Sequence, residues 1–460
     1  MATSKNKNTV VLDSIYGIIN TDPGIRKIID TPAVQRLRGI KQTGLLHLVY
    51  HSAVHNRFSH ALGAFEVSRK VMNALKEKGL DFGQSVITKF SENEKAFYVA
   101  ALCHDIGHSP FSHALEKELL PNGLRDHEEC TKYLIRNCEP LAKAIKEYCD
   151  HELVYNFLAK SDFNTYLCDL ISGPLDVDRL DYLSRDSQAT GLPYGNVDLN
   201  WLIHSLNIRN DQKQRPNLVI EAPKGLVALE QFFRSRINMY DRGYFHKTVQ
   251  GGETLLKTII TRAFFLAKNN HNGKDIALAP FPLNEILKTS QVSLENFLFL
   301  QDCHVWVAIL TWAVKAKDGI LKMLCQQLAN RTLPLAMFAT AKFVDLPDNE
   351  RTEKISKIKS EIAPILIKHL KTKGLKINEE DCDFFFWFSL KTLSLGNMGD
   401  RLFLSQNDTT ISLTKYLENE DQKKISKPIN LKFGRFYIFK EAYDEIFSLL
   451  KNEGLITDES

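Results

Sequence analysis

Apolar residues recur at three- and four-residue spacing through VSRKVMNALKEKGL and EKAFYVAALCHDIGH, the mark of helices with one buried face. This pattern holds from Ile25 to about Ser205. Ahead of it, Thr9–Leu12 and Ile15–Ile19 flank Asp13-Ser14 and predict a short β-hairpin. Pro216–Glu221, stopping before Pro223, reads as a strand of a small sheet. From about Gly225 to Lys268 one long helix is expected, closed by the polar turn at 269–273. Leu283 to Gln327 is helical again, and Thr352 to Lys373 predicts a charged amphipathic helix lying as a solvated flank. LKFGRFYIFK and then EAYDEIFSLLKNEGL predict a strand and a terminal helix. The expected fold is mainly α: a helical core with small β-hairpin and sheet elements and a smaller α+β C-terminal region. Its expected divisions are an N-terminal hairpin segment (1–23), a catalytic core (24–268), a helical extension (269–345) and the C-terminal region (346–460).

At 460 residues the chain can bury a large core. Its eight cysteines show no CxxC pairing and several lie in apolar helical stretches, as reduced structural thiols do, which favours a cytoplasmic setting. The start, MATSKNKNTVVLD, has no apolar core of a secretory signal, and no apolar run reaches the roughly 18 residues needed to span a bilayer. Neither export nor a membrane partner is expected. A net charge of +4 suits a pocket for a polyphosphate anion. Nucleic acid is not indicated, because that partner calls for a concentrated basic face.

The candidate chemistry lies in the first 190 residues. His60 closes Asn56-Arg57-Phe58-Ser59-His60; His104-Asp105, His108, His113 and His127 follow, then Asp176-Val177-Asp178-Arg179. Imidazole with carboxylate is a ligand set for a hydrolytic divalent metal, which makes hydroxide available near neutral pH. The stretch from Glu94 to Leu102 is helix-like, and HDIGH carries His104 and His108 at i,i+4, stacked on one face. Burying such groups unpaired costs roughly 1–3 kcal/mol each, and a metal supplies the partner.

Three blocks, IIDTPAVQRLRGIKQTGLLHLVYHSAVHNRFSHALG, ALCHDIGHSPFSHALE and DVDRLDYLSRD, carry the order H…HD…D. In this the chain resembles the HD-domain metal-dependent phosphohydrolases, and within them the deoxynucleoside-triphosphate triphosphohydrolase branch of SAM-and-HD-domain enzymes and their bacterial relatives. The likeness runs from about Val10 to Gly252, and no SAM domain is read ahead of it. It implies that His60, His104, Asp105 and Asp178 hold one divalent ion (Fe, Mn, Zn or Ni), with Mg or Mn accompanying the triphosphate. It implies His113 as the acid beside the α-phosphate, oriented by Glu116 where the family has an aspartate, with His108 and His127 facing the phosphates.

By the same resemblance Arg57, Arg236, Tyr182 and Arg179, the last in place of a lysine, meet the phosphates. Gln42 and Asp186 match residues that hold the deoxyribose 3′-hydroxyl, and Tyr244 the aromatic that excludes a 2′-hydroxyl. Thr43 replaces a leucine beneath the sugar and Tyr240 a histidine near the base. Asp30, Gln35 and Arg38 match guanine-reading residues of an activator site, although two of its basic contacts are here Thr9 and Trp201. The implied activity is metal-dependent hydrolysis of a dNTP to deoxynucleoside and inorganic triphosphate. The implied partners are the dNTP, a nucleotide activator and further copies of the chain in a dimer or tetramer. The alternatives are an HD-type nuclease or nucleotide phosphodiesterase on the same metal site, and an interaction protein with a vestigial site.

Overall fold

The computed structural model describes residues 9–78, 90–160, 165–210, 216–269, 273–394, 402–406, 409–413, 415 and 430–457. Strands β1 (Thr9–Asp13) and β2 (Gly17–Thr21) form the expected hairpin, in antiparallel register from Thr9↔Thr21 to Asp13↔Gly17. The Asp13 carboxylate closes its turn by accepting from the amides of Ile15 and Tyr16. Gly17 supplies the positive φ, 71°, by which the chain enters β2.

Behind the hairpin lies a layered helical core. Helix Arg57–Glu77 starts at Asn56, whose side chain accepts from the Ser59 amide. It buries Phe58, Ala61, Leu62, Phe65, Val71, Met72 and Leu75. Burial of each large apolar side chain contributes about 1.5–3 kcal/mol, so packing holds the helix and the cap sets where it begins. Helix Val177–Thr190 opens on Asp176 in the same way and stops at Gly191, in the left-handed region with φ 75°. It packs against Arg57–Glu77, as does helix Phe90–Cys103. The candidate ligands therefore enter from separate elements: His60 from one helix, Asp178 from another, and His104-Asp105 from the chain just after Cys103.

Three expectations need correction, and the expected helical stretch 283–327 is found in four pieces. The helix ends at Cys103, and HDIGH is a run of tight turns, with the Ile106 amide donating to Cys103 O and that of His108 to Asp105 O. Gly107 and Pro110 oppose helix continuation, so His104 and His108 do not share a helical face. The helix expected over 225–268 is two, Leu226–Met239 and Lys247–Lys268, joined by a widened turn at Tyr240–Tyr244 in which the Phe245 amide reaches back to Tyr240 O. The stretch 283–327 is divided into Leu283–Thr289, Leu294–Phe299, Asp302–Lys315 and Gly319–Ala329, restarting on the caps Ser293, Gln301 and Asp318. Helix Asp348–Thr372 is more than a solvated flank, since Ile358, Ile362, Leu366 and Leu370 are buried at helical spacing. Of the turn at 269–273, residues 270–272 lie outside the described residues.

Two small sheets complete the fold. β3 (Leu206–Asn210) and β4 (Pro216–Glu221) are antiparallel, and β4 runs parallel to β7 (Phe403–Gln406), which pairs with β8 (Thr409–Ser412). β9 (Asn430–Ile438) lies between β5 (Leu335–Phe338) and β6 (Phe386–Ser394). Helix Tyr443–Asn452 follows, as the terminal pattern predicts. One apolar core extends from Ile19 to Ile456. No helix among the described residues is long and apolar enough to cross a membrane.

Candidate active site

The Nε2 atoms of His60 and His104 face each other across 3.2 Å. His104 Nδ1 lies 2.8 Å from Ala101 O, which can only accept, so the ring carries its proton there. His60 Nδ1 lies 2.7 Å from Asp181 Oδ2, and that carboxylate imposes the same tautomer. The two Nε2 atoms then face each other across a gap that calls for a proton or a metal cation between them. Asp178 Oδ1 is 3.0 and 3.6 Å from the two Nε2 atoms, and the Asp105 oxygens lie 3.6 Å from His60 and 3.3 Å from His104. This donor set fits a divalent ion. The demand for positive charge also shows in His60. Burial pushes its pKa down, yet the hydrogen bonds to Asp178 and Asp181, together with the charges of Asp181 and Asp105, raise it to about 10.

Asp105 leads to a second group. Its carboxylate is bound by Arg57 and lies 3.3 Å from His108 Nε2. His108 stacks on His127, with ring centroids 3.9 Å apart and planes 12° from parallel. Burial, with the charges of Arg57 and His127, holds His108 well below the usual histidine range, so at neutral pH it is uncharged. Glu116 joins the remaining two rings: Oε2 is 3.0 Å from His113 Nδ1 and Oε1 is 2.6 Å from His127 Nδ1. It also accepts from the His127 amide at 2.6 Å. Burial opposes its ionisation, but the hydrogen bonds from His113 and His127 hold the carboxyl well below the usual carboxylate range. One carboxylate thus spans two imidazoles.

On the other flank of the four donors, the Tyr182 ring meets His60 edge-on at 6.5 Å and Tyr244 at 6.1 Å. Tyr244 Oη donates to Asp186 at 2.6 Å, and His55 Nε2 lies 2.6 Å from that carboxylate's other oxygen. Tyr240 packs edge-on against Tyr244 at 4.9 Å, and the Arg236 guanidinium lies 5.7 Å from the Tyr240 ring centre. Gln42 Oε1 and Thr43 Oγ1 are buried without a hydrogen-bond partner among the described residues. Each such group costs roughly 1–3 kcal/mol, which a bound hydroxyl would recover. Arg57 is turned inward, donating to Asp105, Ser112 Oγ at 2.9 Å and Gln42 O at 3.3 Å. Arg179 is drawn to Asp176 and to Gly173 O at 2.6 Å.

Residues 57–186 match the HD domain family. The uncharacterized protein YwfO of Bacillus subtilis is 31% identical over 332 residues, 71% of either chain. The chain belongs to the HD-domain family. Human deoxynucleoside triphosphate triphosphohydrolase SAMHD1 is 27% identical over 290 residues, 56% of this chain and 44% of the human one. A phosphohydrolase of Bacteroides thetaiotaomicron superposes with a TM-score of 0.77 at 27% identity, covering 94% of this chain and 100% of the other. This HD-domain protein therefore has the fold of a phosphohydrolase.

The HD-domain protein brings its four expected ligands together, the four expected acid-group residues beside them, and Tyr182, Tyr244, Asp186, Tyr240 and Arg236 into one further group. Asp30, Gln35 and Arg38 stand apart. Arg38 Nε donates to Gln35 Oε1 at 2.8 Å and its guanidinium lies 3.6 Å from the Phe58 ring centre, while Asp30 pairs with Arg26 at 2.8 Å. Sequence reasoning missed His55, although it sits in the same HSAVHNRFSH block. It also missed Asp302, which accepts from the amides of Lys41 (2.9 Å) and Phe111 (2.8 Å) and so ties the Gln42 loop to the chain entering His113. Phe111 and Ser112 are left-handed, φ 56° and 57°, a strain of about 1–3 kcal/mol each that such pinning sustains. Asp302 opens a helix outside the resembling blocks, and nothing local marks it.

Gly107 gives a direct check of this packing. A Cβ there would lie 2.2 Å from His127 O and 2.4 Å from Thr131 N, both backbone atoms that cannot swing away. Gly107→Ala is expected to destabilise the protein by about 1–3 kcal/mol in a melting experiment. An unchanged melting curve would mean that helix His127–Asn137 does not close on the HDIGH turn.

Proposed function

We propose that this HD-domain phosphohydrolase converts deoxynucleoside triphosphates to deoxynucleoside and inorganic triphosphate. One arrangement carries the proposal: four metal donors flanked through Asp105 by the His108–His127–Glu116–His113 group and through Tyr182 by the Tyr244–Asp186–His55 clamp. His60, His104, Asp105 and Asp178 would hold a divalent ion, which when bound would make a water acidic enough to act as nucleophile near neutral pH. Water attacks the α-phosphorus, the bond from phosphorus to the 5′-oxygen breaks, and the departing oxygen needs a proton. His113 is the donor in this scheme, since its ring is 64% exposed and anchored by Glu116, whereas His108 is uncharged and buried. Gln42 and Asp186 hold the 3′-hydroxyl, Tyr244 crowds the 2′-position, and Arg57, Arg179, Arg236 and Tyr182 steady the phosphate chain. The name of the human relative describes this reaction for that enzyme.

The test is to incubate the metal-loaded protein with each dNTP and NTP and separate the products by chromatography. Deoxynucleoside plus triphosphate is expected, with ¹⁸O from labelled water in the triphosphate alone. A deoxynucleoside monophosphate with pyrophosphate as main products would replace the proposal with the phosphodiesterase or nuclease reading. The proposal extends to a nucleotide activator at Asp30, Gln35 and Arg38 and to assembly as a dimer or tetramer. Sedimentation with and without guanine nucleotides checks both.

A further inference from the structure

His60 Nδ1 is the start of a buried chain of alternating charge that leads out to the N-terminal hairpin. Asp181 Oδ2 takes the His60 hydrogen bond at 2.7 Å. Arg185 clasps that carboxylate from one turn further along helix Val177–Thr190, Nε to Oδ2 at 2.8 Å and a terminal nitrogen to Oδ1 at 2.9 Å. The same guanidinium reaches Asp13 at 2.9 and 3.2 Å. All four side chains are buried. Asp13 is the last residue of β1 and also accepts from the Ile15 and Tyr16 amides, so the carboxylate facing Arg185 is the one that shapes the hairpin turn.

The surrounding sequence is fitted to this chain. Gly63 lies three residues after His60, and a Cβ there would sit 1.9 Å from Asp181 Oδ1 and 2.3 Å from the Arg185 guanidinium. Only glycine lets the pair close against the helix that carries His60. That helix also holds the second strand of the hairpin, through Arg69 donating to Asn20 O at 2.9 Å. A metal-ligating histidine is commonly oriented by a carboxylate on its other ring nitrogen, and loss of that partner typically costs 10–100-fold in metal affinity. Here the orienting carboxylate is itself steered from the hairpin.

We propose that Asp181, Arg185 and Asp13 are positioning residues that fix the ring of His60, so that the seat of the N-terminal hairpin sets how tightly the centre holds its metal. This rests on the metal-centre reading but not on the identity of the substrate. A hairpin with a merely structural role would change the melting temperature without changing metal retention.

The experiment measures metal release from the zinc- or manganese-loaded full chain into excess chelator, alongside melting curves. Asp13→Asn keeps an oxygen for the turn amides and removes the charge facing Arg185. Its metal release is expected to quicken about 10–100-fold. Arg185→Met should release metal at least as fast, and Asp13→Asn combined with Arg185→Met no faster than Arg185→Met alone, because Asp13 acts only through Arg185. Thr21→Val is the control. It deletes the bond from Thr21 Oγ1 to Thr9 O, which loosens the hairpin while leaving the charged chain intact, and it should release metal at the wild-type rate. The proposal is overturned if Asp13→Asn releases at the wild-type rate or if Thr21→Val matches it. Should Arg185→Met fail to fold, the comparison of Asp13→Asn with Thr21→Val still decides. Metal retention is read without substrate, so wild-type protein that holds metal yet leaves dNTPs intact counts against the proposed activity and not against this relay.

Discussion

A His104→Ala, Asp105→Asn double variant is expected to lose both bound metal and hydrolysis while keeping its helical fold. The two side chains supply half of the converging donor set, and without them His60 Nε2 keeps Asp178 alone of its fellow ligands. The choice of asparagine at 105 matters. Asp105 is the buried counter-charge of Arg57, and alanine would strand that guanidinium, at a cost of roughly 3–5 kcal/mol unrelated to metal binding. Asparagine keeps the shape and one acceptor while giving up the charge that a divalent ion needs. Turnover should fall by about 10³-fold or more, since the acidified water disappears with the ion. Elemental analysis of the purified variant, with far-ultraviolet circular dichroism as the folding control, gives the answer. Undiminished metal content would remove His104 and Asp105 from the ligand set.

The clustering of those ligands follows from chemistry that a sequence displays openly. Imidazoles and carboxylates that must all be paired when buried can hardly be scattered, so His60, His104, Asp105 and Asp178 imply their own convergence before any fold is known. Helices with strong apolar periodicity were equally legible, as Arg57–Glu77 and Val177–Thr190 show. What periodicity does not encode is where a helix gives way to a functional turn. HDIGH carries enough apolar character to continue a helix on paper, but Gly107 is there to let the chain beside His127 approach, a demand of tertiary packing. The widened turn at Tyr240–Tyr244 is similar: it aims Tyr244 at Asp186, a partner 58 residues away in the chain. Asp13, Asp181, Arg185 and Asp302 were hidden for another reason. Each is an ordinary charged residue in its local context and acquires its role only through a hydrogen bond to a distant element.

His113→Ala is expected to retain its metal and to slow turnover by about 10²–10⁴-fold, the range for a positioned general acid. The case against the neighbouring histidines is physical. His108 is buried, stacked on His127 and held uncharged at neutral pH, so it has no imidazolium proton to give. His127 is pinned at Nδ1 and at its backbone amide by the same Glu116 oxygen, and its ring is covered on one face by His108. His113 alone of the three is mostly exposed, and the ionised Glu116 gives its protonated form a counter-charge. Glu116→Gln, which keeps the size but removes the carboxylate that anchors His113, should slow turnover without releasing metal. Metal loss in His113→Ala would make that residue a ligand, and near-normal turnover would pass the role of proton donor to His127.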